Sequence, residues 1–379
     1  MAIVKFGDIV RDVKINVDRS NNPYSHYVAG DHMDSEDLTI HRCGNFATDD
    51  VGPAFTRIFK PGQILYGSRR TYLKKVAVAD FEGICANTTF VLESKDETIF
   101  DNRLLPFVML SDAFTRWSIS HSKGSTNPYV LFSDLAGYEF DLPDIEEQRA
   151  LADKLWAAYR LKESYKKLLA ATSEMVKSQF IEMFGHTENT KPLSDFIEVS
   201  FPGEWGQEDK DGNGVKVIRT TNFTNTGKLN LADVVTRDID PNKVEKKKLK
   251  KGDIILERSG GTNDNPVGRV VYFNEDGLYL FNNFTQLLRC KEEVNSLFIF
   301  YSLFNYYQMN KRIIRSMGNK TTGIQNLKMD QYWQIPIADV SVERQNEFEA
   351  IYNQADKSEF ELRKSIESID AVIKSLINS

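Results

Sequence analysis

The side chains of this chain that could do chemistry are hydrogen-bonding and cationic groups clustered in loops. Ser68, Arg69, Arg70, Tyr72 and Lys74 follow one predicted strand, and Lys123, Ser125 and Asn127 flank a Gly-Ser-Thr turn. Arg219, Thr221 and Asn222 form a second such group, with Arg258 after another strand and Lys320, Thr321, Thr322, Gln325 and Asn326 around a further turn. Arginine or lysine can donate two bonds to the edge of guanine, and asparagine or glutamine can exchange two with adenine in the major groove of DNA. Basic residues without such partners would hold phosphate and set register. These loops are candidate DNA contacts, with loop solvation or a structural turn as the alternative for each residue.

Catalytic constellations are missing from the same survey. The five histidines (His26, His32, His41, His121, His186) are scattered, and the His41-x-Cys43 spacing has no second ligand pair to complete a metal site. There is no GxSxG elbow, P-loop or HExxH. Arg258-Ser259-Gly260-Gly261-Thr262 has the look of a phosphate-cradling turn but lacks the lysine and helix that should follow. Asn22-Pro23-Tyr24 and Asn127-Pro128-Tyr129 each fall one proline short of the Asn-Pro-Pro-Tyr loop of amino-methyltransferases, and both read as turns. The expectation is a chain that catalyses nothing and holds no metal.

The elements that must position these loops occur twice. Phe6-Gly7-Asp8-Ile9-Val10 is answered by Leu193-Ser194-Asp195-Phe196-Ile197, and Pro61-Gly62-Gln63-Ile64-Leu65 by Lys251-Gly252-Asp253-Ile254-Ile255. Lys75-Val76-Ala77-Val78 returns as Arg269-Val270-Val271-Tyr272, Gly124 as Gly318, and Glu146-Glu147-Gln148 as Glu343-Arg344-Gln345. The offset drifts from 187 through 190 and 194 to 197 residues, as small loop insertions would cause. Each copy begins with short apolar runs between Gly and polar turns, which predict strands. A helical patch follows, Leu104 to Ser120 in the first copy and Ser296 to Arg315 in the second. The aromatics of the second patch (Phe298, Phe300, Tyr301, Phe304, Tyr306, Tyr307) recur around the helix and read as core.

A long helix closes each copy. The first is expected from about Ile145 to Phe184, with Pro143 before it, Asp144 as N-cap and Gly185 after it. The second is expected from about Val342 to Ile377. Leu161, Tyr165, Leu168, Val176 and Phe180 approximate a seam on the first. Leu362, Ile366, Ile369, Ile373 and Leu376 alternate by four and three residues on the second, the spacing that buries one stripe of a helix against another. The domain reading is 1–143 and 187–340 for the globular parts, with 144–186 and 341–379 as helical spacers. The fold class expected is α+β: two similar β-rich domains with pseudo-two-fold symmetry, joined by two antiparallel helices forming a coiled coil.

The net charge of −6 argues against nucleic acid, but its distribution changes the reading, toward local basic surfaces or, alternatively, merely solvated faces. Val51 to Ala79 holds six basic residues and no acidic one, and Val294 to Met329 holds five and none. A local basic surface can hold phosphate on an acidic molecule. Three distant cysteines without a CxxC, no membrane-length apolar run and no secretory pattern at the start fit a reduced, cytoplasmic protein with no membrane partner.

The pattern resembles the specificity (S) subunit of type I restriction-modification systems. The resemblance rests on the Gly-Gln-Ile-Leu and Gly-Asp-Ile-Ile segments, Tyr27-Val28-Ala29-Gly30-Asp31-His32 and Val217-Ile218-Arg219-Thr220-Thr221-Asn222. It rests also on the two glycine loops and on Leu142-Pro143-Asp144-Ile145-Glu146-Glu147-Gln148 leading into a long helix. In the second copy an extended stretch separates Pro336 from Glu343-Arg344-Gln345. The resemblance implies two target-recognition domains, each reading half of an asymmetric bipartite sequence in double-stranded DNA, with the helices setting the gap. It implies two methyltransferase (modification) subunits docked on those helices, and restriction subunits beside them. S-adenosylmethionine, ATP and Mg would bind those partners and not this chain. Two other readings stand beside it: a pseudo-symmetric enzyme unrelated to DNA, and a coiled-coil scaffold.

Overall fold

The computed structural model describes residues 2–18, 21–262, 264–321 and 324–378, with the backbone alone at 320 and 321. By contact the chain divides into two units: Met1–Leu168 together with Leu362–Ser379, and Leu169–Glu361. Both long helices therefore contribute to both units.

In the first unit, strands Val10–Asp12, Thr89–Ser94, Ile64–Gly67 and Val76–Val78 form an antiparallel sheet in that order. Successive side chains of a strand point to opposite faces. Ile64 and Tyr66 accordingly join a core with Phe107 and Phe114 of the helical patch, while Leu65 joins another with Val28, Phe59 and Cys85 of a second sheet. Being covered on both faces explains why these strands are apolar runs instead of alternating patterns. The second sheet is Gly44–Asn45, His26–Val28, Gly83–Ala86 and Phe55–Phe59, with His26–Val28 and Gly83–Ala86 parallel.

The second unit repeats the plan. Ile197–Pro202, Thr285–Cys290, Ile254–Glu257 and Val270–Tyr272 make the antiparallel sheet. Ile254 and Leu256 face the helical core and Ile255 the other. Its second sheet again holds a parallel pair, Val215–Ile218 with Tyr279–Phe281. The copies part at the sheet margins: Phe55–Phe59 extends the first beyond Gly83–Ala86, whereas Gln207–Glu208 extends the second beyond Val235–Asp238. The matched turns are enforced by Gly62 and Gly252, with φ of +86° and +92°, which a side chain would resist.

The long helices run Ile145–Phe184 and Val342–Asn378. Asp144 caps the first, its Oδ1 accepting from the amides of Glu146 and Glu147. Gly185 ends it, since a Cβ there would stand 2.6 Å from the Ile181 carbonyl oxygen. Within the first unit the two helices pair through Lys162 Nζ and Asp370 Oδ1 at 2.5 Å, and Ile373 is buried with Ala152, Leu155 and Tyr159. Within the second unit Ser173 donates to Glu359, and the Phe180 and Phe348 rings lie 5.1 Å apart. In both units residue numbers rise on one helix as they fall on the other, so the pairing is antiparallel.

The seam differs from the expected one on the first helix. Val176 and Phe180 are buried, Tyr165 is half-buried, but Leu161 and Leu168 are 45% and 51% exposed. The buried positions are Gln148, Ala152, Leu155 and Tyr159, and from there the facing positions turn polar at Lys162, Glu163 and Lys166. A search for apolar spacing alone skips that charged stretch and lands on the outer face. On the second helix Ile373 is buried, Ile369 and Leu376 pack against the core, and Leu362 and Ile366 are half-buried. No helix among the described residues is long and apolar enough to cross a membrane.

Candidate nucleic-acid interface

The loops singled out in the first unit come together at one place. The Ser68 carbonyl accepts from the Val130 amide and the Arg70 amide donates to the Pro128 carbonyl. Arg69 bridges Tyr129, which exchanges both backbone bonds with Lys123. The Arg69–Tyr72 turn is thus stitched to the Lys123–Asn127 turn by main-chain bonds, leaving side chains to project. Arg69, Arg70, Tyr72, Lys123, Ser125 and Asn127 are all exposed. Arg70 holds a left-handed backbone, φ +51°, and Lys74 does too, φ +48°. For residues with side chains such conformations persist where surrounding structure over-determines them, as at ligand-binding loops.

The second unit makes the same junction with more regular structure. Ser259–Gly260 pairs with Gln325 and Asn326 of the hairpin Gly318–Thr321 and Ile324–Leu327. The Ser259 hydroxyl donates to Asn326 Oδ1 at 2.6 Å. Arg258 is half-buried, its carbonyl accepting from the Leu327 amide. Gln325 is half-buried and Thr221 exposed. Thr322 lies outside the described residues, as do the side chains of Lys320 and Thr321.

Several expected contacts are instead committed to the fold. Ser68 is buried and donates to the Thr88 carbonyl. Asn222 is buried: its Oδ1 accepts from the Arg219 amide and its Nδ2 donates to the carbonyls of Asn230 and Asp233. Lys74 is held between Glu36 at 3.0 Å and Asp112 at 3.2 Å. Burial disfavours its charge, but these two carboxylates outweigh that and raise its pKa. Arg219 pairs with Asp233 at 3.2 Å, and Lys123 with Asp134 at 2.9 Å while staying exposed. Arg57 and Lys75, in the acid-free window, are also structural: Arg57 pairs with Asp12, and Lys75 donates to the Gly30 carbonyl. Acids distant in sequence neutralise Lys74, Arg219, Lys123 and Arg57, which no local charge count detects.

Sequence reasoning passed over two exposed rings at these junctions. Tyr129 closes the Asn127-Pro128-Tyr129 turn, and Phe284 accepts the amides of Arg258 and Ser259 at its carbonyl. Their signal was weak: a lone aromatic beside a polar loop.

A catalytic or metal reading gains little. Asp37, His41 and Glu163 bring potential ligand atoms within 4.8 Å of one another. Lys166 Nζ, however, stands 2.8 Å from both Asp37 Oδ2 and Glu163 Oε1, so an ammonium already counters both carboxylates. The thiols of Cys85 and Cys290 are pushed up to about 12 by burial, far from nucleophilic.

The family described as type I restriction modification DNA specificity domain matches residues 18–171 and again 187–368. The chain belongs to that family. Its two matches cover most of the sequence and coincide with the two structural copies. A specificity subunit of the type I restriction enzyme EcoDI from Escherichia coli is 31% identical over 97 residues, covering 26% of this chain and 21% of the relative. The matched segment therefore spans about a fifth of that protein. The fold is that of a type I restriction-modification S subunit from M. genitalium (TM-score 0.57, 14% identity, 99% of this chain and 94% of that one). A chain from a type I R-M system solved for its assembly and conformational transition is similar too (TM-score 0.55, 18% identity, 99% and 96%). Within the specificity-domain family, then, the duplicated junction of strand turn and glycine turn is the feature that makes this chain a candidate reader of DNA.

Proposed function

We propose that this chain is the sequence-reading subunit of a type I restriction-modification complex. Each β-rich unit reads one half of an asymmetric bipartite target in double-stranded DNA. The observation that carries this is the repeated junction: a loop after an inner strand, joined by main-chain bonds to a glycine turn, presenting exposed Arg69, Arg70 and Tyr72 in one copy and half-buried Arg258 and Gln325 in the other. Arginine supplies the bidentate contact to guanine and glutamine that to adenine.

The long helices act as the spacer. At about 1.5 Å per residue the first is on the order of 60 Å long, and half-sites read from one face of a duplex recur about every 34 Å. A stiff element enforces such a gap better than a flexible linker. The exposed Leu161 and Leu168, seven residues apart on one face of the first helix, suit docking of a modification subunit. Such a pair of large apolar groups is otherwise better covered. Methyl transfer with S-adenosylmethionine, and cleavage driven by ATP and Mg, belong to partner subunits in this reading, and this chain contributes no catalytic group.

The test is a domain exchange. Replacing residues 1–143 with the corresponding unit of a relative should change one half of the methylated sequence and leave the other. Methylation mapping that shows both halves altered, or neither, refutes the proposal.

A further inference from the structure

In each recognition unit a loop of the second sheet meets a long helix at a charged contact, and these two contacts have opposite polarity. In the first unit, the loop between His26–Val28 and Gly44–Asn45 presents Asp37 to the first helix. Tyr159 donates to Asp37 Oδ1 at 2.6 Å, Lys166 donates to Oδ2 at 2.8 Å, and the Leu38 amide donates back to the Tyr159 hydroxyl. In the second unit, the turn Thr224–Lys228 presents Lys228 to the second helix. Its ammonium reaches Asp356 Oδ1 at 2.5 Å and Glu359 Oε2 at 2.9 Å. Ser173 holds the other oxygen of Glu359.

The positions correspond in part. Asp356 lies 197 residues beyond Tyr159, the offset at which Gln345 repeats Gln148, whereas Glu359 lies 197 beyond Lys162, which pairs with Asp370 and not with Asp37. Loop residues Leu38 and Lys228 are related by the 190-residue offset of their neighbouring strands. An acid on the loop faces hydroxyl and ammonium in one copy, and an ammonium on the loop faces two acids in the other. Arg363, the counterpart of Lys166, is exposed.

We infer that Asp37 and Lys228 are positioning residues that key each recognition unit to its own helix. Part of the attraction is screened by solvent, the Lys228 and Asp356 side chains being 37% and 49% exposed, while Glu359 and Asp37 are each 10% exposed. Yet each contact joins a loop to a helix outside that loop's own sheet, where it fixes the tilt of the reading face. Recognition groups must be held within about 0.5 Å and 10–20° to act. The reversed polarity adds selectivity, because like charges brought face to face penalise a wrong pairing. Lys228 set against the first helix would exchange its two acceptors for the Lys166 ammonium, which already occupies Glu163. Asp37 set against the second would meet Asp356 and Glu359.

This inference rests on the DNA-reading proposal and is tested on the full chain assembled with its modification partner. Methylation rates are measured on duplexes with the mapped target and with one base changed in either half. Lys228→Glu should cut discrimination about tenfold, the size of one lost base contact, at the half read by the second unit. It should leave the other half within about twofold, below the cost of a single mismatch. Asp37→Asn should do the converse. Lys228→Arg should retain discrimination, and Lys228→Glu with Asp356→Lys and Glu359→Lys should restore it. Asp356→Asn, which removes one acceptor without reversing charge, provides a milder variant should Lys228→Glu not fold. Unchanged discrimination, equal loss at both halves, or failure of the triple variant to recover overturns the inference. A wild-type assembly indifferent to base changes in both halves would instead sink the DNA-reading proposal itself.

Discussion

Gln345 repeats, 197 residues on, the clasp made by Gln148. Gln148 Oε1 accepts from the Asp101 amide at 3.0 Å while its Nε2 donates to the carbonyls of Ile99 and Pro143. Gln345 Oε1 accepts from the Asn295 amide at 2.9 Å and its Nε2 donates to the Val340 carbonyl. The two are 0% and 3% exposed. Each ties the first turn of a long helix to the loop that leads into the helical patch, and so sets the angle at which the helix leaves its globular part. Gln148→Leu should strand the Asp101 amide and the Ile99 carbonyl without partners. Stability should fall by roughly 1–3 kcal/mol, the usual cost of one buried group, here the Asp101 amide, left unmet. Urea unfolding checks this, and Gln345→Leu should act in the same direction with a smaller effect.

This clasp also shows how much the sequence discloses. The Glu-Glu-Gln and Glu-Arg-Gln segments were visible as repeats, and they mark equivalent helix starts despite the extended stretch after Pro336. The apolar strand runs were legible because both faces are covered, and the helix bounds because Asp144 and Gly185 punctuate them. The contact residues were less legible. Ser68 and Asn222 have the right types for base contact, but their hydrogen bonds go to carbonyls 8 to 20 residues away, which spacing cannot forecast. The seam of the first helix was misplaced for a related reason: its middle is polar, at Lys162 and Lys166, and the acids that make it acceptable are Asp370 and Asp37.

Asp37 gives a pH dependence with a definite sign. Burial opposes its ionisation, but the Lys166 ammonium, the Tyr159 hydroxyl and the Thr39 amide outweigh that and hold its carboxyl well below the usual carboxylate range. A group whose folded pKa is depressed contributes stability that is complete above its unfolded pKa, about 3.9, and is lost as pH falls toward the folded value. Acid titration of thermal stability should therefore fall less steeply below about pH 4 in Asp37→Asn than in the wild type. Parallel curves would mean that the carboxyl is not ionically held.

The two faces of the first helix should respond oppositely to mutation. Phe180 is buried among Phe184, Phe298, Tyr301 and Phe348. Phe180→Ala should cost about 3–5 kcal/mol, the usual range for a buried ring removed from a core. Leu168→Asp, on the exposed face, should shift stability by less than about 0.5 kcal/mol. If that face receives a modification subunit, the same change should abolish co-purification while leaving the melting temperature unaltered. A large drop in melting temperature for Leu168→Asp would place that residue in the seam after all.

The exposed arginines of the first unit can be sorted by salt. Arg69 and Arg70 project from a junction fixed by backbone bonds, and among the described residues neither is engaged in an ion pair. An arginine on phosphate contributes a slope of about 0.9 to the fall of log K with log salt concentration. Its replacement weakens all sequences alike, whereas loss of a base contact weakens the correct target selectively, by about 1–3 kcal/mol. Arg70, whose amide is tied to the Pro128 carbonyl, is expected to read a base, and Arg69 to hold phosphate. Arg69→Ala should reduce the salt slope by about one with sequence preference intact. Arg70→Ala should leave the slope nearly unchanged and relax preference at one position of one half-site. Anisotropy titrations at several salt concentrations, on the mapped target and on single-base variants, separate these outcomes. Equal slope changes for both replacements would assign both arginines to the phosphate backbone.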